Sequence, residues 1–201
     1  MFCLSRFVRI YPLVLSAILL FQVSGNTAPY RVLQQTETGS GVPQVGAIVW
    51  TDRAQYSLHE EMKINAALRN NGNAPGYVDR RLHWGGLAGG FKLEIRNEQG
   101  KALPARLESD APMPPPKEGD TSILIKLEPG FLYGSHVQID VKDFFPKPGR
   151  YSLRVAYGSS LMKELVVAEL RDLPALWHDS PIIVSEPVWI EVTSTAHRVR
   201  R

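Results

Sequence analysis

The residue types of a nucleophilic catalytic triad occur side by side in this chain, at His178, Asp179 and Ser180. A working triad assembles its base, orienting group and nucleophile from separate elements of a fold. Three consecutive residues lack that geometry, so we predict a polar turn before the last strand. The sequence also lacks GxSxG and HExxH motifs. These observations favour a protein that is not an enzyme.

The metal-ligating residue types are scattered along the chain. No two histidines form an HxH or HxxxH pair, although two of them could meet across strands. The single cysteine, Cys3, lies near the N-terminus, whereas a metal site usually needs three or four converging ligands. We therefore expect no metal site and no cofactor. The five histidines are His59, His83, His136, His178 and His197.

Residues 70–90, with the sequence NNGNAPGYVDRRLHWGGLAGG, carry aromatic and arginine side chains between glycines. Such side chains are the usual anchors of protein interfaces, and loops on a rigid scaffold often carry binding function. The alternative is a further strand in residues 77–84, with Val78 and Leu82 or Trp84 packed inward. The candidate binding residues are Tyr77, Arg80, Arg81, His83 and Trp84.

The rest of the body shows alternating apolar and polar residues, which is the period of a β-strand. Asn-Gly-rich and Pro-Gly turns separate the runs, and strands without long intervening helices pair antiparallel. We predict an all-β, immunoglobulin- or fibronectin-like antiparallel β-sandwich over residues 46–193. A closed barrel fits the same pattern. The apolar runs cover residues 46–50, 62–68, 91–95, 123–127, 137–141, 151–157 and 188–192.

The segment 161–173 departs from this alternation. Its apolar and charged residues fit a short amphipathic helix that ends at Pro174. The run Leu165, Val166 and Val167 also fits a strand, because two of its residues are β-branched. The sequence leaves both interpretations open.

The N-terminal residues have the order of a secretory signal peptide. Arg6 and Arg9 precede an apolar run at 13–21 that is too short to span a bilayer, and small residues follow at 23–25. We predict a signal peptide at 1–25, a flexible leader at 26–45 and a basic tail at 194–201. The expected location is periplasmic or extracellular, with no integral membrane segment after cleavage.

Length, composition and charge narrow the classes of partner. The chain has 201 residues, of which 44% are hydrophobic and 21% charged, so it resembles neither a disordered chain nor a fibrous protein. The five arginines of the predicted signal peptide and tail contribute +5 to a net charge of +3, so the body between them sums to −2. The body between them offers no electrostatic reason to bind nucleic acid.

Several short sequence segments in this chain resemble segments of secreted bacterial sandwich domains. They are FKLEIRNEQGK from residue 91, LEPG from 127, PGRYSLRVAY from 148 and SEPVWIEV from 185. A similar order of phrases, over about two thirds of the chain, occurs in BsuPI-like proteinase-inhibitor domains. The Pro-Gly-x-Tyr phrase also resembles the corner of many immunoglobulin-like domains. The resemblance implies a β-sandwich, and it assigns no inhibitory residue.

We predict a secreted or periplasmic, non-enzymatic binding module whose loops contact another protein or an envelope component. One alternative is a proteinase inhibitor that inserts residues 77–90 or 112–116 into a protease. A second is a protein that binds or acts on carbohydrate, which would need several tryptophans exposed on one face. We expect Trp50, Trp177 and Trp189 to be packing residues instead.

Overall fold

A computed structural model describes residues 44–85, 89–105, 107 and 115–194 of the chain. All of them belong to one compact unit, Gly39–Arg201. The predicted signal peptide, the leader up to residue 43, and the tail beyond residue 194 lie outside the described residues. So does the proline-rich segment up to residue 114.

The described chain is all-β with one single-turn α-helix, which confirms the predicted fold class. Each of the seven predicted apolar runs overlaps a strand. The elements in chain order are β1 (Val45–Thr51), β2 (Gln55–Ser57), β3 (Glu61–Asn70), β4 (Gly76–Asp79), β5 (Gly90–Asn97), β6 (Ala102–Leu103), β7 (Leu124–Leu127), β8 (Leu132–Asp140), α1 (Val141–Phe144), β9 (Gly149–Gly158), β10 (Ile183–Val184) and β11 (Val188–Thr193).

The first sheet has the order β1-β3-β8, and both of its pairings are antiparallel. The central strand, β3, buries Met62, Ile64 and Leu68 completely, while Glu61 and Lys63 are exposed. Side chains of successive residues point to opposite faces of a strand. The predicted alternation therefore sets which face of this sheet is inward.

The second sheet has the order β2-β11-β9-β5-β6, and β10 also pairs with β9. Its long pairings, β5 with β9 and β9 with β11, are antiparallel as predicted. The short strand β2 instead runs parallel to β11. This exception involves three residues at the sheet edge, where Glu191 N–H donates to Ala54 C=O at 2.8 Å.

The two sheets pack face to face, because β1 contacts β9, β10 and β11 and one apolar cluster draws on both. We call this cluster the main core. Ile64 of the first sheet and Phe91 and Leu153 of the second are fully buried within it. Burial of such a side chain contributes roughly 1.5–3 kcal/mol. The arrangement is a sandwich, which decides against the closed barrel.

The turn before β9 has the expected corner geometry. The Tyr151 hydroxyl donates to the Lys147 carbonyl at 2.7 Å, four residues upstream. Phe145 packs edge-on against the same ring, with the ring centroids 4.9 Å apart. The contact fixes the chain where it enters β9, while the immunoglobulin type of the sandwich stays a prediction.

Two additional features lie beside the two sheets. Strands β4 and β7 form a separate antiparallel pair. A second apolar cluster, which we call the satellite core, has Leu161 fully buried at its centre and includes Trp177. Its five buried members are Ile123, Leu161, Val166, Ala175 and Trp177.

The segment 161–173 forms neither a regular amphipathic helix nor a strand. It contains two single 3-10 turns, Lys163–Leu165 and Ala168–Leu170. Val166 and Val167 between them are extended, with ψ of 160° and 151°, so helical hydrogen bonds cannot continue through them. The α-helix of the described chain is α1, where the sequence pattern predicts the end of a strand.

Among the described residues, no helix has both the length and the apolar character that a bilayer span requires.

Candidate functional site

The predicted binding loop contains strand β4, which covers the first part of the strand that the alternative interpretation places at residues 77–84 and ends at Asp79. Val78 is fully buried in the main core, and Tyr77, on the opposite face, packs half-buried against the satellite core. Tyr77 N–H donates to Pro174 C=O, and Leu176 N–H donates to Tyr77 C=O, both at 3.0 Å. Tyr77 therefore joins the two cores through both its side chain and its backbone.

Trp84 lies in the main core, with 9% of its surface exposed. Its ring centroid is 5.4 Å from that of Phe91, which in turn lies 5.2 Å from Tyr157. The indole Nε1 is buried and has no hydrogen-bond acceptor among the described residues. The location matches the alternative in which Trp84 packs inward.

Arg81 and Asp79 form an ion pair in which the carboxylate is nearly buried. Arg81 Nε and Nη2 donate to the two Asp79 oxygens at 3.0 and 2.7 Å, and the Asp79 side chain is 4% exposed. The two parallel hydrogen bonds between Arg81 and Asp79 order the chain after β4. The pKa of Tyr157 is raised far above its usual value, first by burial and second by the nearby Asp79 carboxylate.

His83 is half-buried over a glycine. Its Nδ1 lies 3.3 Å from Arg81 C=O, and a Cβ built on Gly90 would come within 2.7 Å of the imidazole. Gly90 also has a φ of +93°, a conformation that other residues avoid. His83 therefore packs closely against the start of β5.

Arg80 is the exposed member of the five predicted binding residues. Its N–H donates to Ile123 C=O, and its own C=O accepts from the Tyr133 hydroxyl, both at 2.8 Å. Together with Phe131 and Leu132, Arg80 and Tyr133 form what we call the Phe131 surface. Phe131 is 66% exposed and Leu132 is 54% exposed, so two adjacent large apolar side chains face solvent.

Asn70 holds the backbone of the Phe131 surface. It is 1% exposed, and its Nδ2 donates to the carbonyls of Ala74 and Leu127, each at 2.8 Å. Asn70 N–H also donates to Phe131 C=O, and Gly130 N–H donates to Asn70 C=O. These bonds fix the turn that presents Phe131.

Strand β8 continues from this surface along the edge of the first sheet. Among the described strands it pairs with β3 alone, so its other side offers unpaired backbone groups. His136 is the one titratable side chain from Gly134 to Ile139. Natural edge strands are commonly protected by lysine, proline or a bulge, and these six residues include neither lysine nor proline.

A further group lies on the outer face of the second sheet, and sequence analysis missed it. Trp189 is 43% exposed, and the Arg150 guanidinium carbon lies 4.8 Å from the centroid of its ring. The expectation that Trp189 is a packing residue is wrong, because Trp189 alternates with the buried Ile190 and points outward with Glu191. Trp177 is buried and Trp50 half-buried.

These residues line a shallow cleft of about 510 Å³, which we call the Trp189 cleft. Arg150 and Glu191 occupy opposite positions on β9 and β11. No ion pair found in the described part of the chain joins them. The lining residues are Ala54, Gly149, Arg150, Trp189, Ile190 and Glu191.

The residues with triad chemistry form a polar turn. Ser180 N–H donates to Trp177 C=O at 3.0 Å, and Ser180 Oγ accepts from Trp177 N–H at 2.9 Å. The Ser180 hydroxyl therefore serves the backbone of the turn, and His178 and Asp179 are exposed. Within the described ranges, no three histidine, cysteine, aspartate or glutamate side chains converge as metal ligands.

Comparisons with known proteins leave the family open. No family model and no curated protein matches the chain. One similar structure is a β-glucosidase from Erythrobacter marinus, at 14% identity and a TM-score of 0.36. The match covers 75% of this chain, which spans 16% of the glucosidase.

Another similar structure is the CARDB domain of a Pyrococcus furiosus protein, solved with di-metal ions. It is 8% identical with a TM-score of 0.35, and the match covers 77% of this chain and 97% of that domain. At these TM-scores neither similarity supports a statement about fold type or activity. The resemblance to BsuPI-like domains stays a prediction.

Proposed function

We propose that this chain is a non-enzymatic interaction module of the periplasm or extracellular space, and that it binds another protein through the Phe131 surface. The observation that carries the proposal is the exposure of Phe131 and Leu132, at 66% and 54%. Phe131 and Leu132 are consecutive in the sequence, and large exposed apolar patches commonly mark interaction sites. The signal-peptide pattern around Arg6 and Arg9 supports the location.

The surface combines an apolar anchor with a cation. Arg80 is exposed beside Asp120, whose pKa is lowered by hydrogen bonds from Ser122 and also by the charge of Arg80. Arginine and aromatic side chains are enriched among the residues that dominate binding energy. Arg80 is thus the predicted binding residue that best fits a direct contact.

Strand β8 supplies a binding mode for the same partner. An extended segment of another protein can hydrogen-bond to the free side of an edge strand, while pockets beside it select side chains. The β8 edge begins at Leu132, directly after Phe131. Phe131 and Leu132 would anchor such a segment, and the backbone of β8 would extend it.

The proposal is tested by crosslinking the chain to proteins of its own host envelope and then measuring the captured partner directly. We expect Phe131→Ser with Leu132→Ser to weaken binding of the purified partner by at least about tenfold, or about 1.4 kcal/mol. The matched control is Ile182→Ser, because Ile182 is 67% exposed but lies outside the surface.

The proposal would be contradicted if the double variant still binds the partner, or if Ile182→Ser loses as much affinity for the partner as the double variant does. A partner that is a protease, inhibited stoichiometrically by the wild-type chain and not by the double variant, would favour the inhibitor alternative.

A further inference from the structure

The Trp189 cleft lies on the second sheet, whereas the β8 edge belongs to the first sheet. Its volume of about 510 Å³ falls within the range of about 300–1,000 Å³ that is typical of small-molecule sites. The N–H of Glu191 donates to the C=O of Ala54, another lining residue. Five of the six lining residues belong to β9 and β11, so the cleft is built mainly on the sheet.

We propose that the Trp189 cleft binds a saccharide that carries a carboxylate, such as a uronic acid residue of a glycan. The site is separate from the Phe131 surface and does not depend on the protein partner proposed above. It rests on three side chains of different chemistry that the register of β9 and β11 brings together: Arg150, Trp189 and Glu191.

Trp189 supplies an apolar face for the sugar ring. It keeps 43% of its surface exposed even though Arg150 lies against the indole. The C–H face of a pyranose is apolar and flat, so it matches an indole ring.

Arg150 supplies the site for the carboxylate. Its contact with the ring restrains the guanidinium, and arginine recognises carboxylates through two parallel hydrogen bonds. Glu191, directly opposite on the neighbouring strand, does not neutralise it through an ion pair among the described residues. Arg150 is exposed and can meet an anion from solvent.

Glu191 supplies hydrogen-bond acceptors for the sugar. Its carboxylate accepts hydrogen bonds but donates none, so it suits the hydroxyl groups of a saccharide. A peptide C-terminus shares the carboxylate but lacks hydroxyl donors and a flat C–H face.

The test is isothermal titration calorimetry of the full chain with trigalacturonate and with its methyl ester, which keeps the sugar skeleton and removes the charge. We expect the acid to bind at least about tenfold more tightly than the ester, and the preference to shrink as salt is added. Trp189→Ala should weaken both sugars. Arg150→Ala should remove the preference for the acid.

The matched control is Lys92→Ala, because Lys92 is an exposed cation on β5 of the same sheet and lies outside the cleft. It should bind the acid like the wild type, and circular dichroism of each variant checks that it folds. The proposal would be overturned if acid and ester bind with equal affinity or if no sugar binds. It would also be overturned if Arg150→Ala and Lys92→Ala lose the same affinity for the acid. Triglycine binding in place of the sugar would assign the cleft to peptide carboxylates instead.

Discussion

At the scale of single residues, an aromatic residue in a glycine-rich loop serves packing rather than recognition. Trp84 is buried beside Phe91, and its Nε1–H has no acceptor among the described residues. A buried donor without a partner costs about 1–3 kcal/mol. Composition drew attention to Trp84, but its burial depends on β5, which pairs with it from outside the loop.

Trp84→Phe should therefore leave the free energy of unfolding unchanged or raise it by up to about 1 kcal/mol. The phenyl ring keeps the contact with Phe91 and removes the unpaired donor, although it fills less space. Urea denaturation measures the difference, with Trp84→Leu as the comparison that loses the aromatic contact and should be clearly destabilised. A loss of more than about 1 kcal/mol in Trp84→Phe would contradict this expectation.

A second prediction at this scale concerns the contact between Tyr56 and Asp52. The Tyr56 hydroxyl donates to Asp52 Oδ1 at 2.6 Å. Burial raises the pKa of Asp52, but hydrogen bonds from Tyr56 and from Lys63 N–H outweigh it and lower that pKa below 3.8. Burial, and then the hydrogen bond to Asp52, raise the pKa of Tyr56 to about 12.

The two shifts give a pH window for stability. The Asp52 contribution is present above its unfolded pKa near 3.8 and is lost as pH falls through the lower folded value. The Tyr56 contribution is present below 10.0 and is lost as pH rises towards about 12. Tyr56→Phe should flatten both slopes in urea titrations at a series of pH values. Tyr151→Phe is the control for the acid slope and should leave it unchanged, because the pKa of Tyr151 is also raised by burial and affects only the alkaline slope. Unchanged slopes in Tyr56→Phe would refute the linkage.

At the scale of elements, the alternation of inward and outward side chains along the strands is the feature of the fold that the sequence predicts best. Met62, Ile64 and Leu68 pack inward as their spacing indicates, because a strand buries every second residue wherever one face is covered. The same rule would have placed Trp189 outward with Glu191. Its aromatic type outweighed the pattern in our interpretation, and the cleft was missed for that reason.

The parts that the sequence did not predict depend on contacts between distant segments. The pairing of β2 with β11 joins Gln55 to Glu191, and Tyr77 N–H donates to Pro174 C=O. Local residue types carry no record of such partners. The short 3-10 turns after Leu161 likewise follow from packing over the satellite core rather than from helical periodicity.

The start of β5 gives a prediction for an element. Gly90 has a φ of +93°, and a Cβ there would meet the His83 ring at 2.7 Å and the His83 carbonyl at 2.8 Å. Gly90→Ala should lose at least about 2 kcal/mol of unfolding free energy, because strain and a backbone clash add. Gly100→Ala is the matched control, with a φ of +78° but open space around it, and should lose only about 1 kcal/mol. Equal losses in the two variants would rule out the clash.

At the scale of the whole molecule, the two apolar clusters differ in how they are held together. The main core lies between sheets whose strands are paired along most of their length. The satellite core is closed by loops and by a few backbone bonds, such as His178 N–H to Leu161 C=O at 2.9 Å. Regions with few such bonds open at lower free energy than a sheet core.

Native-state hydrogen exchange should therefore resolve two units. We expect the amide of His178, which donates to Leu161 C=O across the satellite core, to exchange through a local opening that leaves the sheets intact. Leu161→Ala, at a fully buried position of the satellite core, should reduce the protection of this amide by about 2–5 kcal/mol.

Leu153→Ala is the matched change in the main core, because Leu153 is also fully buried. It should lower protection in β3 and β9 by a similar amount and leave the amide of His178 unchanged, since the locally open form retains the main core and is destabilised equally. If Leu153→Ala reduces protection in both regions alike, the two clusters unfold as one cooperative unit. Separate responses would mean that the segment over the satellite core can open while the Phe131 surface and the Trp189 cleft stay on a folded sandwich.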